Sequence, residues 1–459
     1  MSSSVPVLGS THDPALRSGI AKATKHLMPM LVILYFVAFL DRTNVGFAEE
    51  ALRVDRGISD AAFALGAGIF FIGYAIFEIP SNLLLKRFGA RFWLARIAIT
   101  WGTVAGLFAF TTNDTMFIIL RFILGVTEAG LFPGVIMYLS EWFPNKVRVR
   151  MFAIFYLAQP FSQMIGAPLS GALISVGDKV TPFHGWQVMF GGEGVLAVLA
   201  GVAAFFFLTN SPQQAKWLDD GEKSSLTAAM AREDTARSAD GPTGILKALA
   251  SGRVWYFTVI YFCLQVAVYG TTFYLPQQVS SILGQDVGWQ VGLVSAIPWL
   301  VGLVACYLIG ARADSVGRRR RWGTLFYITT GLSILGSAWA GANGQPVLGI
   351  VFITLAVASF LAVGPITWAY PTAFLTGAAA AAGIGLINSL GNLGGFVAPI
   401  MRTAINAAVP TDSGAFGIVS LGVLAFLAAV MIFCTKFFRG SKADDLLDTS
   451  HVATKETTR

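Results

Sequence analysis

Apolar runs of about twenty residues recur along the chain, each closed by a short polar stretch, and a helix of that length crosses a ~30 Å hydrocarbon core. The runs fall at 27–48, 62–85, 93–111, 115–140, 151–176 and 187–208. A second set follows at 253–275, 289–309, 322–341, 346–369, 377–400 and 412–438. Between the sets lies one long polar segment, Thr209 to Ala250, rich in charges such as Asp219, Asp220, Glu222 and Lys223. The pattern predicts an all-α membrane protein of twelve transmembrane helices in two six-helix bundles. The N-terminal bundle covers 1–208, a cytoplasmic linker 209–250, and the C-terminal bundle with its tail 251–459.

Composition agrees with a bilayer as solvent. Of 459 residues, 55% are hydrophobic and 12% charged, against about 25% charged in a soluble domain. The net charge of +7 sits in short clusters between apolar runs, such as Lys86-Arg87 and Arg318 to Arg321. That is a positive-inside pattern, and nucleic acid is excluded as a partner. The basic loops alternate along the chain: Lys22 and Lys25; Lys86, Arg87 and Arg91; Lys146, Arg148 and Arg150; Arg312 to Arg321; Lys436 and Arg439. Both termini are therefore expected on the cytoplasmic side of an inner membrane. The first 26 residues are polar, and the first apolar run carries no cleavage site, so it reads as a retained helix. Cys263, Cys306 and Cys434 are odd in number and unpaired in spacing, and His12, His26, His184 and His451 lie in tails or loops outside the apolar runs. Neither a metal site nor a cofactor is expected.

An internal repeat ties the halves together. Asn82-Leu-Leu-Leu-Lys86-Arg87-Phe-Gly89-Ala-Arg91 follows the second span, and Gly310-Ala-Arg-Ala-Asp314-Ser-Val-Gly317-Arg318-Arg319 follows the eighth. The second copy resembles the loop signature of the major facilitator superfamily. The first departs from it at Asn82 and Lys86, and is similar to the superfamily's anion:cation symporter branch. Leu40-Asp41-Arg42-Thr-Asn44, Arg121 through Gly134, Gly185-Trp186-Gln187 and Asn388 through Phe396 resemble that branch too, in the expected order along most of the chain. The resemblance implies the major facilitator fold. It places spans one, four, seven and ten around a central cavity, with two, five, eight and eleven flanking it.

Ionisable groups inside hydrocarbon are costly, by ~2.5–3.5 kcal/mol on insertion scales, and point to function. Asp41 and Arg42 in the first span and Arg121 and Glu128 in the fourth are the deep ones, with Glu78 and Glu193 nearer the ends of theirs. Arg121 and Glu128 stand seven residues apart, on nearly one helix face. Two acids and two bases can thus meet across a cavity; the plainer alternative is a static salt-bridge network. An arginine in a dry cavity binds a carboxylate as a bidentate fork. An acid that loses its arginine to such a ligand takes a proton more readily. Arg42 and Arg121 are therefore the expected anion ligands, and Asp41 and Glu128 the expected proton carriers. Asp41, next to Arg42, is expected to stay ionised until substrate arrives, whereas Glu128 has no adjacent base.

Neutral groups of the second half, Gln265, Tyr269 and Asn392, suit a second polar end of a ligand, and the resemblance adds Tyr74, Gln159, Trp368 and Asn388. Near the cytoplasmic end, Glu78 and the Lys86, Gly89 and Arg91 loop are expected to form a gate with Arg148 or Arg150, and the Asp314, Gly317 and Arg318 loop is its second-half counterpart. Glycines at 166–171 and 391–395 allow close helix approach between halves. The expected activity is uptake of a small organic carboxylate with protons by a monomer. Driving an anion into an inside-negative cell costs ~2.3 kcal/mol per charge per 100 mV, and no ATP-binding Gly-x-x-x-x-Gly-Lys-Ser/Thr run occurs. The resemblance brings sugar acids, hydroxy acids such as tartrate and aromatic acids into range. Anion exchange or export on the same fold is the alternative. A membrane enzyme or a sensor is remote: no nucleophile–base pair sits at membrane depth, and no output domain is seen.

Overall fold

The computed structural model describes residues 13–238, 249–316, 319–375, 377–410 and 415–435, and every regular element among them is a helix. In the first half these are α1 (Pro14–Thr43), α2 (Val45–Arg56), α3 (Asp60–Phe88), α4 (Ala90–Leu107), α5 (Asp114–Glu128), α6 (Leu131–Trp142), α7 (Asn145–Tyr156), α8 (Ala158–Val180) and α9 (Gly185–Phe207). The linker carries α10 (Asp220–Ser238). The second half holds α11 (Gly252–Thr272), α12 (Leu275–Leu283), α13 (Trp289–Val316), α14 (Arg319–Ala342), α15 (Pro346–Phe374), α16 (Gly377–Asn392), α17 (Gly394–Ala408) and α18 (Ala415–Cys434).

Among the described residues, eleven helical stretches are long and apolar enough to cross a membrane. The predicted fifth span, α7 with α8, is the more polar remainder, carrying Gln159, Ser162, Gln163 and Ser170. Five predicted spans are each two helices rather than one: α1/α2, α5/α6, α7/α8, α11/α12 and α16/α17. The break between α5 and α6 has a local cause. Gly130 sits at φ 89°, and there a Cβ would run into the Ser81 side chain. At the other extreme α1 starts at residue 14 rather than 27, because Asp13 caps Ala15 N at 3.0 Å and Pro14 fits the first turn. His26 therefore lies on a helix, stacked on Trp217 with ring centroids 4.5 Å apart.

One hydrophobic cluster runs from Leu16 to Ala229 and takes in Tyr269, Phe273 and Tyr274 of the second half, and a second runs from Val254 to Ile432. Inside the first, α4 lies along α9 and α3 along α5; inside the second, α15 packs on α13 and α14. Across the halves α8 lies on α13 and α3 on α17. Apolar side chains such as Ile79, Phe206 and Val430 remain exposed on the outer faces, as a lipid-facing surface requires.

The bundle has a near end, with the α3–α4 turn and α10, and a far end, with α2 and α12. At the far end the halves meet backbone to backbone. A Cβ on Gly46 would strike the carbonyl oxygen of Phe273, and one on Gly171 that of Gly288. Gln277 Nε2 donates to Gly46 O at 3.3 Å, and Trp289 N to Ser175 Oγ at 3.0 Å. The other predicted glycine stretch divides its contacts: Gly395 meets Phe71 of the first half, but Gly391 meets Tyr261 of its own half.

Polar composition made residues 209–250 a linker, yet its described first part is docked on the N-terminal bundle. Glu222 accepts from Ser18 Oγ at 2.6 Å and lies 2.7 Å from Lys22 Nζ, while Trp217 stacks between His26 and Trp142. Burial pushes the Glu222 carboxyl up, but the bonds from Lys22 and Ser18 outweigh that and hold it below its usual range.

Candidate functional site

A small cavity lies between the halves. From the first half it is walled by Tyr35, Phe39, Arg42, Tyr74, Phe132, Tyr156 and Gln159. Tyr261, Gln265, Tyr269, Asn388 and Asn392 close it from the second. Of the residues expected from sequence, Arg42, Tyr74, Gln159, Gln265, Tyr269, Asn388 and Asn392 are thus gathered in one place. Trp368 stands one layer back, with its ring 4.8 Å from that of Tyr261.

Arg42 is the cation in this wall. It is 7% exposed, and its guanidinium lies 4.8 Å from the Phe39 ring, 5.0 Å from Phe70 and 5.3 Å from Tyr74. One amino group donates to Glu128 Oε1, and the other reaches Tyr269 Oη at 3.4 Å. That last contact crosses the halves. Two atoms of the pair, Arg42 Nε and Glu128 Oε2, are buried without a hydrogen-bond partner. The guanidinium therefore has donor capacity left in a low-dielectric, aromatic-lined space. Such a space strengthens every charge interaction inside it.

Two sequence expectations need correction here. Asp41, next to Arg42 in the chain, is not its partner, and Glu128, with no adjacent base in the chain, has one in space. Consecutive helix residues point about 100° apart, so Arg42 turns to Glu128, while Asp41 turns into the interior of its own bundle and accepts from Trp101 Nε1 at 2.8 Å. Arg121 was expected in the cavity. Instead it is buried against α3, donating to Gly66 O at 3.1 Å and Ala67 O at 3.4 Å, with Phe70 between it and Arg42. The two arginines share the Phe70 ring.

The gate expectation is also redrawn. Glu78 does not pair with Arg148; it accepts from Ser389 Oγ of the other half at 2.8 Å. Arg148 donates to Phe143 O at 2.9 Å within its own half. In the first loop, Lys86 is exposed, and Gly89 makes the turn into α4 at φ 86°. Arg91 fastens that turn to the end of α9 through Phe205 O at 2.5 Å, and its backbone N donates to Asn210 Oδ1 at 2.9 Å. Gly317 and Arg318 lie outside the described residues, as does the side chain of Asp314.

The profile of the Major Facilitator Superfamily matches residues 31–399. The chain belongs to the major facilitator superfamily. It is 40% identical over 432 residues to the inner membrane transport protein RhmT of Escherichia coli (strain K12), covering 93% of this chain and 97% of that one. A putative tartrate transporter of Agrobacterium vitis is 40% identical over 417 residues, covering 91% and 94%. Among solved structures, a partially occluded inward open conformation of the E. coli xylose transporter XylE superposes with a TM-score of 0.71 at 17% identity, over 91% and 98% of the chains. At that identity the likeness carries the fold alone.

As a secondary transporter of this superfamily, the protein is a multi-pass membrane protein and not an enzyme. Sequence reading missed several cavity residues of this transporter: Tyr35, Phe39, Phe132, Tyr156 and Tyr261. An aromatic within an apolar run looks like any lipid-facing or core residue. The usable signal was the phenol of Tyr35, Tyr156 and Tyr261, a polar atom that a mid-span position must satisfy.

Proposed function

We propose that this transporter takes up a small organic carboxylate together with protons, by alternating access in an inner membrane with both termini cytoplasmic, and that it acts as a monomer. The two moving bodies are residues 1–208 and 251–459. On that orientation the far end faces outward, and its closed backbone seam makes this an inward-facing or occluded form. The observation that carries the reading is Arg42 in the cavity wall, paired with the fully buried Glu128. An incoming carboxylate takes Arg42 as a bidentate partner, with Tyr74 and Tyr269 beside it, and displaces Glu128. A buried carboxylate without its partner is costly, so Glu128 binds a proton, and one charge on the substrate enters with one on the protein. Asp41, held by Trp101, is the second proton carrier. Gln159, Gln265, Asn388 and Asn392 contact the remainder of the ligand. Trp368 braces Tyr261, and Arg121 braces α3 behind Arg42. Similarity to a putative tartrate transporter supports hydroxy acids as the first class to test.

The test is uptake by proteoliposomes of labelled hydroxy, sugar and aromatic acids under an inward proton gradient. Accumulation that is lost in Arg42→Ala and no longer follows the gradient in Glu128→Gln supports the reading. Uptake that ignores the gradient and needs liposomes preloaded with anion sinks symport and leaves exchange.

A further inference from the structure

The N-terminal bundle buries a carboxyl that the cycle above does not use. Glu193 on α9 is 0% exposed, although its sequence position put it near a span end. Both its oxygens are occupied by neutral donors, Asn44 Nδ2 at 2.6 Å and Ser170 Oγ at 2.6 Å. Among the described residues no cation pairs with it. If its only task were packing, a glutamine would serve without the desolvation cost of an acid.

What it holds gives it a use. Asn44 is the joint between α1 and α2, and α2 is the segment whose Gly46 seals the far end against Phe273 and Gln277. Asn44 presents its amide nitrogen to Glu193, and its Oδ1 is buried without a partner. An ionised carboxyl is acceptor-only and fits that arrangement. A proton on Oε2 would set two donors face to face. The relief is rotation of the amide, so that the unpartnered Oδ1 accepts the new O–H. The tie at the joint is then reversed, and it is weaker, because bonds to an ionised acceptor are roughly twice as strong as neutral ones.

We propose that Glu193 is a proton-binding positioning residue that acts through Asn44: ionised, it fastens the α1–α2 joint in the form that closes the far end, and protonated, it loosens that joint. Glu193 has few charged neighbours on the elements packed around it. Asp41 on α1 is close enough for the two charges to interact. Arg42 on α1 turns to Glu128 instead. Glu49 on α2 and Arg96 on α4 are each five residues, about 7.5 Å along the helix, from Asn44 and Trp101. Asp178 on α8 and His184 at the head of α9 are eight and nine residues, about 12–13 Å, from Ser170 and Glu193. Asp55, 11 residues beyond Asn44, is engaged by Trp186 Nε1 and His184 Nδ1.

The inference rests on the alternating-access reading above, but not on the identity of the anion. Spin labels at Phe183→Cys and Val347→Cys, both exposed far-end positions on opposite halves, report the opening. The three native cysteines are replaced by alanine, and distances are measured without substrate from pH 5 to pH 8. The protonated-to-ionised ratio of a titrating group changes about tenfold per pH unit. The long-distance population should therefore rise as pH falls, with one midpoint, and by several-fold across the range. Glu193→Gln should abolish this response, while Asp41→Asn, which removes a neighbouring negative charge, should keep a response with its midpoint moved to more acidic pH. Ser170→Ala should move the midpoint to more alkaline pH, because the ionised carboxyl loses a donor; this variant serves if Glu193→Gln does not fold. An unchanged pH response in Glu193→Gln, or none in the parent, overturns the proposal and leaves the Glu128 cycle untouched. A proton-independent uptake with the midpoint intact overturns symport and leaves this proposal standing.

Discussion

The two bundles share a helix plan and differ in what they bury. The first buries Asp41, Arg42, Glu78, Arg121, Glu128 and Glu193. In the second, the described buried polar residues are all neutral, such as Gln265, Thr271, Ser333, Thr367 and Asn388. The arrangement of these groups differs as well. Glu128, Asp41 and Glu193 are tied to helices of their own bundle, and Arg42 and Glu78 each reach one hydroxyl across the halves, Tyr269 and Ser389, whereas Gln265, Asn392 and Asn388 form a short chain of amides, bonded at 2.7 and 3.2 Å, that faces the cavity. Charge in hydrocarbon needs a fixed shell of partners, and such a shell tolerates little change. Amides and phenols need none of comparable strength, so the neutral wall is free to vary with the ligand while charge handling stays in one half.

The largest test of this division is Arg42→Ala. Uptake should fall by about 100-fold or more, and a thermal melt in detergent should show a loss of about 3–5 kcal/mol, because Glu128 is left buried and alone. The double variant Arg42→Met with Glu128→Met should recover the melt but not the uptake. Retained uptake in either would move anion recognition to the neutral half. Next, Trp101→Phe removes the hydrogen bond that Trp101 donates to Asp41, at a cost of about 1–3 kcal/mol in the same melt. A smaller effect is expected on the other side of the cavity. Gln265→Ala should raise KM by up to about tenfold with the proton dependence of uptake unchanged; a change in that dependence would blur the comparison.

Smallest is Glu222→Gln at the near end. The folded Glu222 carboxyl lies below its usual range, so its contribution is present above the ordinary carboxylate pKa and fades as pH falls. The variant should melt slightly lower than the parent at neutral pH, and the gap should close below about pH 4.

Much of this was legible in the residues, for reasons that also mark its limits. Twenty-residue apolar runs are set by the thickness of the bilayer, so the spans could be placed. Their interruptions at Asn44 and Gly130 could not, because each falls inside a stretch of spanning length where a polar residue or a glycine is equally compatible with an unbroken helix. Buried charges announce themselves by rarity, which is why Arg42, Glu128 and Asp41 stood out. Their partners did not, since Trp101 is sixty residues from Asp41 and neighbours in the chain point to different faces. Arg121 shows the same limit. Its rarity was plain, but bonding to two backbone carbonyls leaves no trace in side-chain identity.

The far-end seam has a consequence for how this protein tolerates mutation. At Gly46 and Gly171 the halves touch through bare backbone, so parting and rejoining there requires no side chain to change rotamer. The same economy makes the seam one-sided towards variation: any replacement of either glycine adds atoms where a carbonyl already sits. Such variants would be arrested with the far end ajar rather than unfolded, a lesion that assays of expression and assembly would pass as healthy.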